Sequence, residues 1–563
     1  MSSKHLRGSQ IPKPKLVQHN LSRSESGLDT DFADLQTFYP GMGSLCNLKN
    51  APEVDLWFDH DHRFVKLLSQ VNSKASGPVS IRIEKNNTQS GMEIQDISGF
   101  RKITHLLDPI RWLQGKYSFP KHTILPWHQE SWEATYVKLQ DPMNQAYVEA
   151  LAAYAFSRLR EADLTPHYHF FYGSICGKAN TYRFNITDSY LSLRHRRWFW
   201  SGQEKNMFKI SFDDTIPDEI KQAIMEQPEN LTDDTDSEEE SEEEIEELKD
   251  LHCKLDDDKG SLHSASGSDF QSAGSEEENE DSEEYSDDDD GLEIFAEIKD
   301  FPIMMIFTEV SKGTMDDLLD DEDEVGAKRG TQKWDAIWKA WIFQVIAALC
   351  IGQSVFGFTH NDLHSNNVVW SPTTEKYVFY KLKDGTIYRV PTYGKIFRII
   401  DFGRSIFKLN DHLFFSDDFR PGNDAAEQYN FGEILDEEEE EVHPNPSFDL
   451  CRFTVSIFEA LFPSNPPPRK GGKILSEEPD FVVKETQSDL YNLLWTWLVC
   501  DDGHNVLMDG DGQERYPDFE LYKVISSQVH GAIPSEQIRK SFFDNFIVEA
   551  SQVKEHKVYP LFC

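Results

Sequence analysis

Residues 360–370 read His360-Asn361-Asp362-Leu363-His364-Ser365-Asn366-Asn367-Val368-Val369-Trp370, a polar octet that runs straight into an apolar stretch. That pattern suits a loop that presents polar groups to a cleft and then enters a buried strand. Asp362 supplies a carboxylate able to take a proton from a hydroxyl, and Asn367 supplies a neutral oxygen suited to a hard cation. On one loop the two can face the same cleft while Leu363 anchors the loop inward. A second string, Ile399-Ile400-Asp401-Phe402-Gly403, carries another carboxylate out of an apolar strand into a turn that the glycine permits. Asp401 is the expected principal metal ligand.

The two strings match H-R-D-L-x-x-x-N at its His, Asp, Leu and final Asn, followed by D-F-G, in the order that phosphoryl transfer uses them. Here the chain resembles the eukaryotic-type protein kinase superfamily, and more closely the divergent kinase-like proteins of giant DNA viruses. Those proteins share the HNDLHxNN form, an IIDFGR string and a segment like Phe448-Asp449-Leu450-Cys451-Arg452-Phe453. The resemblance spans residues 135–546 apart from one acidic insertion. It implies an α+β, bilobal protein-kinase-like fold: a small β-rich N-lobe with one main helix, and a larger, mostly helical C-lobe. It also implies ATP and Mg²⁺ as cofactors. Asp362 would be the catalytic base, with His364 and Asn367 in the same catalytic loop, and Asn367 and Asp401 would hold Mg²⁺. His360 would be structural. Asp449 would either receive backbone N–H groups of that loop or cap the helix that follows it.

For the nucleotide, Thr308-Glu309-Val310-Ser311-Lys312-Gly313 follows an apolar run, as the hinge between kinase lobes does. Backbone groups at Glu309 and Ser311 would then bond the adenine edge, with Thr308 at the back of the pocket. The phosphate-binding lysine and its helix glutamate are assigned to Lys138 and Glu149, with Lys85 as the competing lysine. Three departures stand out. No G-x-G-x-x-G precedes Lys138, no A-P-E follows Asp401, and His364 replaces the lysine of Ser/Thr protein kinases. Histidine at that place also occurs in haspin-like kinases and in aminoglycoside and choline phosphotransferases. The acceptor is therefore expected to be a protein Ser or Thr, with a small-molecule acceptor as the alternative. A catalytically silent binding or virion protein is the reading from another class.

Outward from the motifs, the chain divides into an extended or partly ordered arm (1–54), a small lobe (55–310) and a large lobe (311–563). Strands are expected at Val79–Ile83, Ala134–Lys138 and Phe301–Val310, and helices at Asn144–Arg160 and Trp334–Ile351. Lys376–Lys395 is expected to be an enlarged turn. Of the 99 acidic residues, 27 fall in 231–290 against 3 lysines, so the tract at 232–291 cannot bury enough apolar surface to fold and is expected to be a disordered insertion. It could attract basic proteins. The net charge of −43 argues against nucleic acid as a partner. The seven scattered cysteines and a polar, basic N-terminus suit a reducing, cytoplasmic setting, either host cytoplasm or virion if the chain is viral. The longest apolar run, Trp341–Gly352, is too short for a membrane span, so no membrane partner is expected. Asp509-Gly510-Asp511-Gly512 lacks the later ligand spacing of a calcium loop and reads as a polar turn.

Overall fold

The computed structural model describes residues 13–48, 54–70, 72, 74–87, 91–117, 133–187, 189–212, 218–228, 231–232, 293–478, 481–510, 512–553 and 556–563. The architecture is α+β. Its N-terminal part is a seven-stranded antiparallel sheet. The strands used below are β1 (Phe32–Gln36), β2 (His62–Gln70), β3 (Gly77–Asn87), β4 (Gly91–His105), β5 (Phe171–Asn185), β6 (Phe208–Phe212) and β7 (Ile294–Glu309). Their order is β1-β5-β7-β4-β3-β2, with β6 pairing the first half of β7. The acidic tract lies outside the described residues at 233–292, between Thr232, which bridges to Arg196, and the start of β7.

Two helices lie beside this sheet, α1 (Glu133–Gln140) and α2 (Gln145–Glu161). The first corrects an expectation, since Ala134–Lys138 is helical and not a strand. Thr135 and Leu139, one turn apart, are both buried, so the apolar positions of this segment work at helical spacing. In α2 the Asn144 side chain accepts from the Ala146 N–H and so sets the helix start. Thirteen of its seventeen residues are buried, which makes it the core helix of this half.

The expected arm is largely built into the fold. β1 pairs with β5, Leu28 and Leu45 are fully buried, and Tyr39 stacks on Tyr147 of α2 with ring centroids 5.2 Å apart. A segment poor in periodicity is held here by single apolar anchors.

The C-terminal part is mostly helical, with α3 (Gln332–Phe356), α4 (Phe448–Leu461), α5 (Asp489–Trp497) and α6 (Glu520–Gln528). By length and composition α3 could cross a bilayer, but 78% of its most apolar window is buried, as befits a core helix. Strands β8 (Val368–Pro372) and β9 (Lys395–Ile399) pair antiparallel and carry the two motifs at adjacent ends. The enlarged turn between them is itself structured. Tyr377–Lys381 and Ile387–Pro391 form a hairpin flanked by Ile547–Val548 and Val558–Pro560 in a four-stranded sheet.

Candidate active site

Between the two parts lies a cleft of about 400 Å³. Strand register decides what faces it. β4 and β7 pair with Lys102 opposite Ile306 and Phe100 opposite Thr308, which puts all four on the cleft face and turns Arg101 to the other. The Lys102 ammonium lies 2.7 Å from Glu149 Oε1 on α2 and 2.8 Å from Asp401 Oδ1. Burial alone would push this lysine down, but the two carboxylates outweigh it and hold it above its usual value. The same burial would raise Asp401, and Lys102 instead holds it at about 2. Glu149 is deeper and shares its cation, so burial pushes it up to about 7. Asp401 also takes φ of +61°, a left-handed backbone that costs a non-glycine residue on the order of 1 kcal/mol or more. The strain falls on the aspartate itself and not on Gly403.

The ring of Phe402 stacks on Phe156 of α2 at 4.9 Å and stands edge-on to Phe358, just ahead of the His360–Asn367 loop. This column of rings ties the Asp401–Gly403 string to the helix that carries Glu149. The loop itself is fastened from below. Asp449, fully buried, accepts the N–H groups of His360 and Asn361 at 3.0 Å each. It therefore holds the loop, and Ser447 takes the N-cap position of α4. His360 Nε2 bonds the Ile400 carbonyl at 2.8 Å, and Ile400 N–H donates to the Asn367 carbonyl at 3.0 Å, so the two motif strings are joined side by side. Asn367 gives its amide nitrogen to the Asp362 carbonyl at 2.9 Å and to His364 Nε2 at 3.0 Å. Its carboxamide oxygen is what remains to offer a cation. His364 is kept neutral chiefly by burial, which lets it accept that bond. Asp362 Oδ1 accepts from the hydroxyl of Tyr522 on α6 at 2.7 Å.

At the far end of the cleft, Thr308, Glu309 and Ser311 all line the wall. The Glu309 carboxylate is bound by Arg160 and has Arg398 at 3.8 Å, while the Ser311 hydroxyl lies 2.8 Å from His169 Nε2. These side chains are committed to the frame, and what the segment offers a ligand is backbone. The roof is the β2–β3 turn, where Ser76 and Pro78 reach the cleft. With no glycine run, the described residues of this turn are pinned by the fully buried Arg101, which donates to Gln70 Oε1 at 2.5 Å, the Asn72 carbonyl at 2.9 Å and the Ala75 carbonyl at 3.0 Å.

Lys138 stands elsewhere. Its ammonium binds Asp417, whose other oxygen accepts the Gln145 N–H at the start of α2 at 2.9 Å. Asp417 N–H in turn donates to the Met143 carbonyl at 2.8 Å. The structure thus pairs Glu149 with Lys102 and not with Lys138. Lys85 is likewise out of reach, paired opposite His62 at the sheet's far side. The next residue, Asp418, is 8% exposed and 3.9 Å from Arg404. Burial and the adjacent Asp417 push it up to about 7.

Sequence reasoning thus brings Asp362, His364, Asn367 and Asp401 to one place, with Glu149 facing them and Glu309 and Ser311 across the cleft. It misses Lys102, Arg101 and Tyr522. Lys102 had a signal in the alternation that ends Phe100-Arg101-Lys102-Ile103, whereas Tyr522 had none.

No family model matches the chain. A protein of Dictyostelium discoideum described as a probable serine/threonine-protein kinase is 37% identical over 98 residues, which is 16% of this chain and 8% of that relative. The match therefore spans a small fraction of either protein.

Proposed function

We propose that the chain is a Mg-ATP-dependent phosphotransferase of bilobal, protein-kinase-like architecture, acting on Ser or Thr hydroxyls of proteins. The observation that carries this reading is the Lys102 ammonium held between Glu149 and Asp401 in a cleft that Asn366, of the loop carrying Asp362 and Asn367, also lines. The order of five sheet strands, β2-β3-β4-β7-β5, agrees with the small lobe that the motif resemblance implies, and the partial match to a kinase points the same way.

The donor set fits a hard divalent cation: a carboxylate at Asp401 and a carboxamide oxygen at Asn367, both oxygen ligands of the kind Mg²⁺ prefers. Bound there, Mg²⁺ would neutralise phosphate charge. Lys102 supplies a fixed positive charge for the phosphates, Glu149 keeps it in place, and Asp362 takes the acceptor proton. Phe100, Ile306 and Val369 give apolar walls for a purine.

The test is to incubate purified protein with labelled ATP and Mg²⁺, with a protein extract in one arm and a metabolite pool in the other. Label on protein supports the reading, and label confined to metabolites moves the acceptor to small alcohols. In either arm Asp362→Asn is expected to cut turnover by roughly 10²–10⁴-fold with nucleotide binding kept. Equal turnover of mutant and parent would remove Asp362 from the mechanism.

A further inference from the structure

We propose that Tyr522 is a positioning residue for the transfer step, its hydroxyl fixing the carboxylate of Asp362 that receives the acceptor's proton. This rests on the phosphotransferase reading above. The loop's own polar side chains are turned to other tasks: His360 Nε2 goes to Ile400, and His364 and the Asn367 amide go to each other. What holds the Asp362 carboxylate comes from 160 residues away. The Tyr522 hydroxyl donates to Asp362 Oδ1 at 2.7 Å, and its oxygen accepts from Arg452 Nε at 3.0 Å. With that bond from Arg452 occupying the oxygen, the phenolic hydrogen is directed at the carboxylate.

The ring cannot easily swing away. It stacks on Phe519 at 5.1 Å and 14°, packs against Phe448 at 5.8 Å, and has the guanidinium carbons of Arg452 and Arg404 at 5.2 and 5.9 Å from its centroid. Burial keeps the phenol protonated, so it donates throughout and gives up no proton. One carboxylate oxygen is then tied down and the other, Oδ2, is left for the acceptor hydroxyl, whose proton it accepts as the acceptor oxygen bonds to the γ-phosphorus and the bond from that phosphorus to the β–γ bridging oxygen breaks, ADP leaving with the bridging oxygen. In this way α6, a helix with no motif of its own, completes the catalytic loop.

The experiment compares Tyr522→Phe, Arg452→Gln and the double variant with the parent in the labelled-ATP assay, alongside nucleotide affinity and thermal melting. Tyr522→Phe keeps the ring and removes one oxygen. It is expected to lower kcat about tenfold, the worth of one hydrogen bond to a charged group, with KM for ATP and melting temperature unchanged. Arg452→Gln should also lower kcat, but add little in the Phe background, because both act through one hydroxyl. An unchanged kcat in Tyr522→Phe, or losses that simply multiply, would overturn the proposal. A raised kcat would also overturn it, showing that the hydroxyl occupies the acceptor's place and acts as a plug. A parent that turns over no ATP in either arm would instead sink the phosphotransferase reading, and this proposal with it.

Discussion

The ammonium of Lys102 stands between two carboxylates, so Asp401 can turn to a metal ion without leaving the lysine unpaired. That arrangement separates its role from that of Lys138, whose partner Asp417 is 2% exposed and away from the cleft. Lys102→Met is expected to lower kcat/KM for ATP by about 100-fold or more, because a fixed charge on the phosphates is lost. Lys138→Met should change kcat/KM only a few-fold but lower the melting temperature, since it strands a buried carboxylate. Parallel steady-state kinetics and melts of the two variants check this, and the reverse ranking would restore the sequence-based assignment. The reason for the misassignment is physical. Asp362, Asn367 and Asp401 lie in contiguous strings whose chemistry is local, whereas Lys102 and Glu149 are joined only by sheet register and the approach of α2. Ala134–Lys138 has β-like composition, and what makes it a helix is burial of Thr135 and Leu139 on one face, a tertiary fact.

At the scale of elements, α2 is held at its start by a segment almost 300 residues downstream. Asp417 caps Gln145 and binds Lys138, Arg420 binds Asp141, and Asn423 Nδ2 donates to the Asp417 carbonyl at 2.7 Å. The helix carrying Glu149 is thus fixed by carboxylates already in the chain. Asp418, beside this clasp, makes it pH-dependent. Its folded value, about 7, lies above the ordinary carboxylate value of about 3.9, so its contribution to stability is fully present below pH 4 and is lost as pH rises through 7. Asp418→Asn removes that loss. The variant is expected to melt about 3 °C above the parent at pH 8, by less than that at pH 5, and level with it below pH 4. Glu149 titrates in the same direction but is present in both proteins, so the comparison isolates Asp418. Equal melting temperatures at pH 8 and at pH 5 would refute the account. None of this clasp could be read in advance, because Ser416-Asp417-Asp418 looks like any polar turn until Met143 and Gln145 are brought to it.

Across the whole molecule, the long strand β7 is the keel. It pairs with β4, β5 and β6, and its start is tied down on its own account by Ile294 N–H to Thr187 Oγ1 at 2.9 Å and Ile186 N–H to the Ile294 carbonyl at 2.9 Å. Thr232, on the other side of the acidic tract, bonds His195 independently, its N–H at 2.9 Å from that carbonyl. Both ends of the tract are anchored without help from it. Replacing 233–292 by a short Gly/Ser linker is therefore expected to leave melting temperature and turnover on a small neutral acceptor unchanged, because closure entropy depends only weakly on loop length. If the tract recruits basic proteins, the same change should slow their association and flatten its salt dependence. Collapse of stability or turnover would make the tract part of the active fold. The mixed α+β character of the chain was legible from composition and the two motif strings. The packed arm was not, since its few anchors, Leu28, Tyr39 and Leu45, form no period.

The arginine that pins the β2–β3 turn bears on how a nucleotide would be taken up. A glycine-rich cover is disordered or mobile when empty, and the ligand must supply the ordering entropy when it closes. Here three bonds from the buried Arg101 meet that demand during folding. Nucleotide binding to this chain would then be nearer to entry under a standing roof than to closure of a flap. Its signature would be a small entropic penalty and an on-rate governed by access, and loosening the roof at Arg101 would appear as slower capture and a costlier entropy, with the chemistry beneath it unaltered.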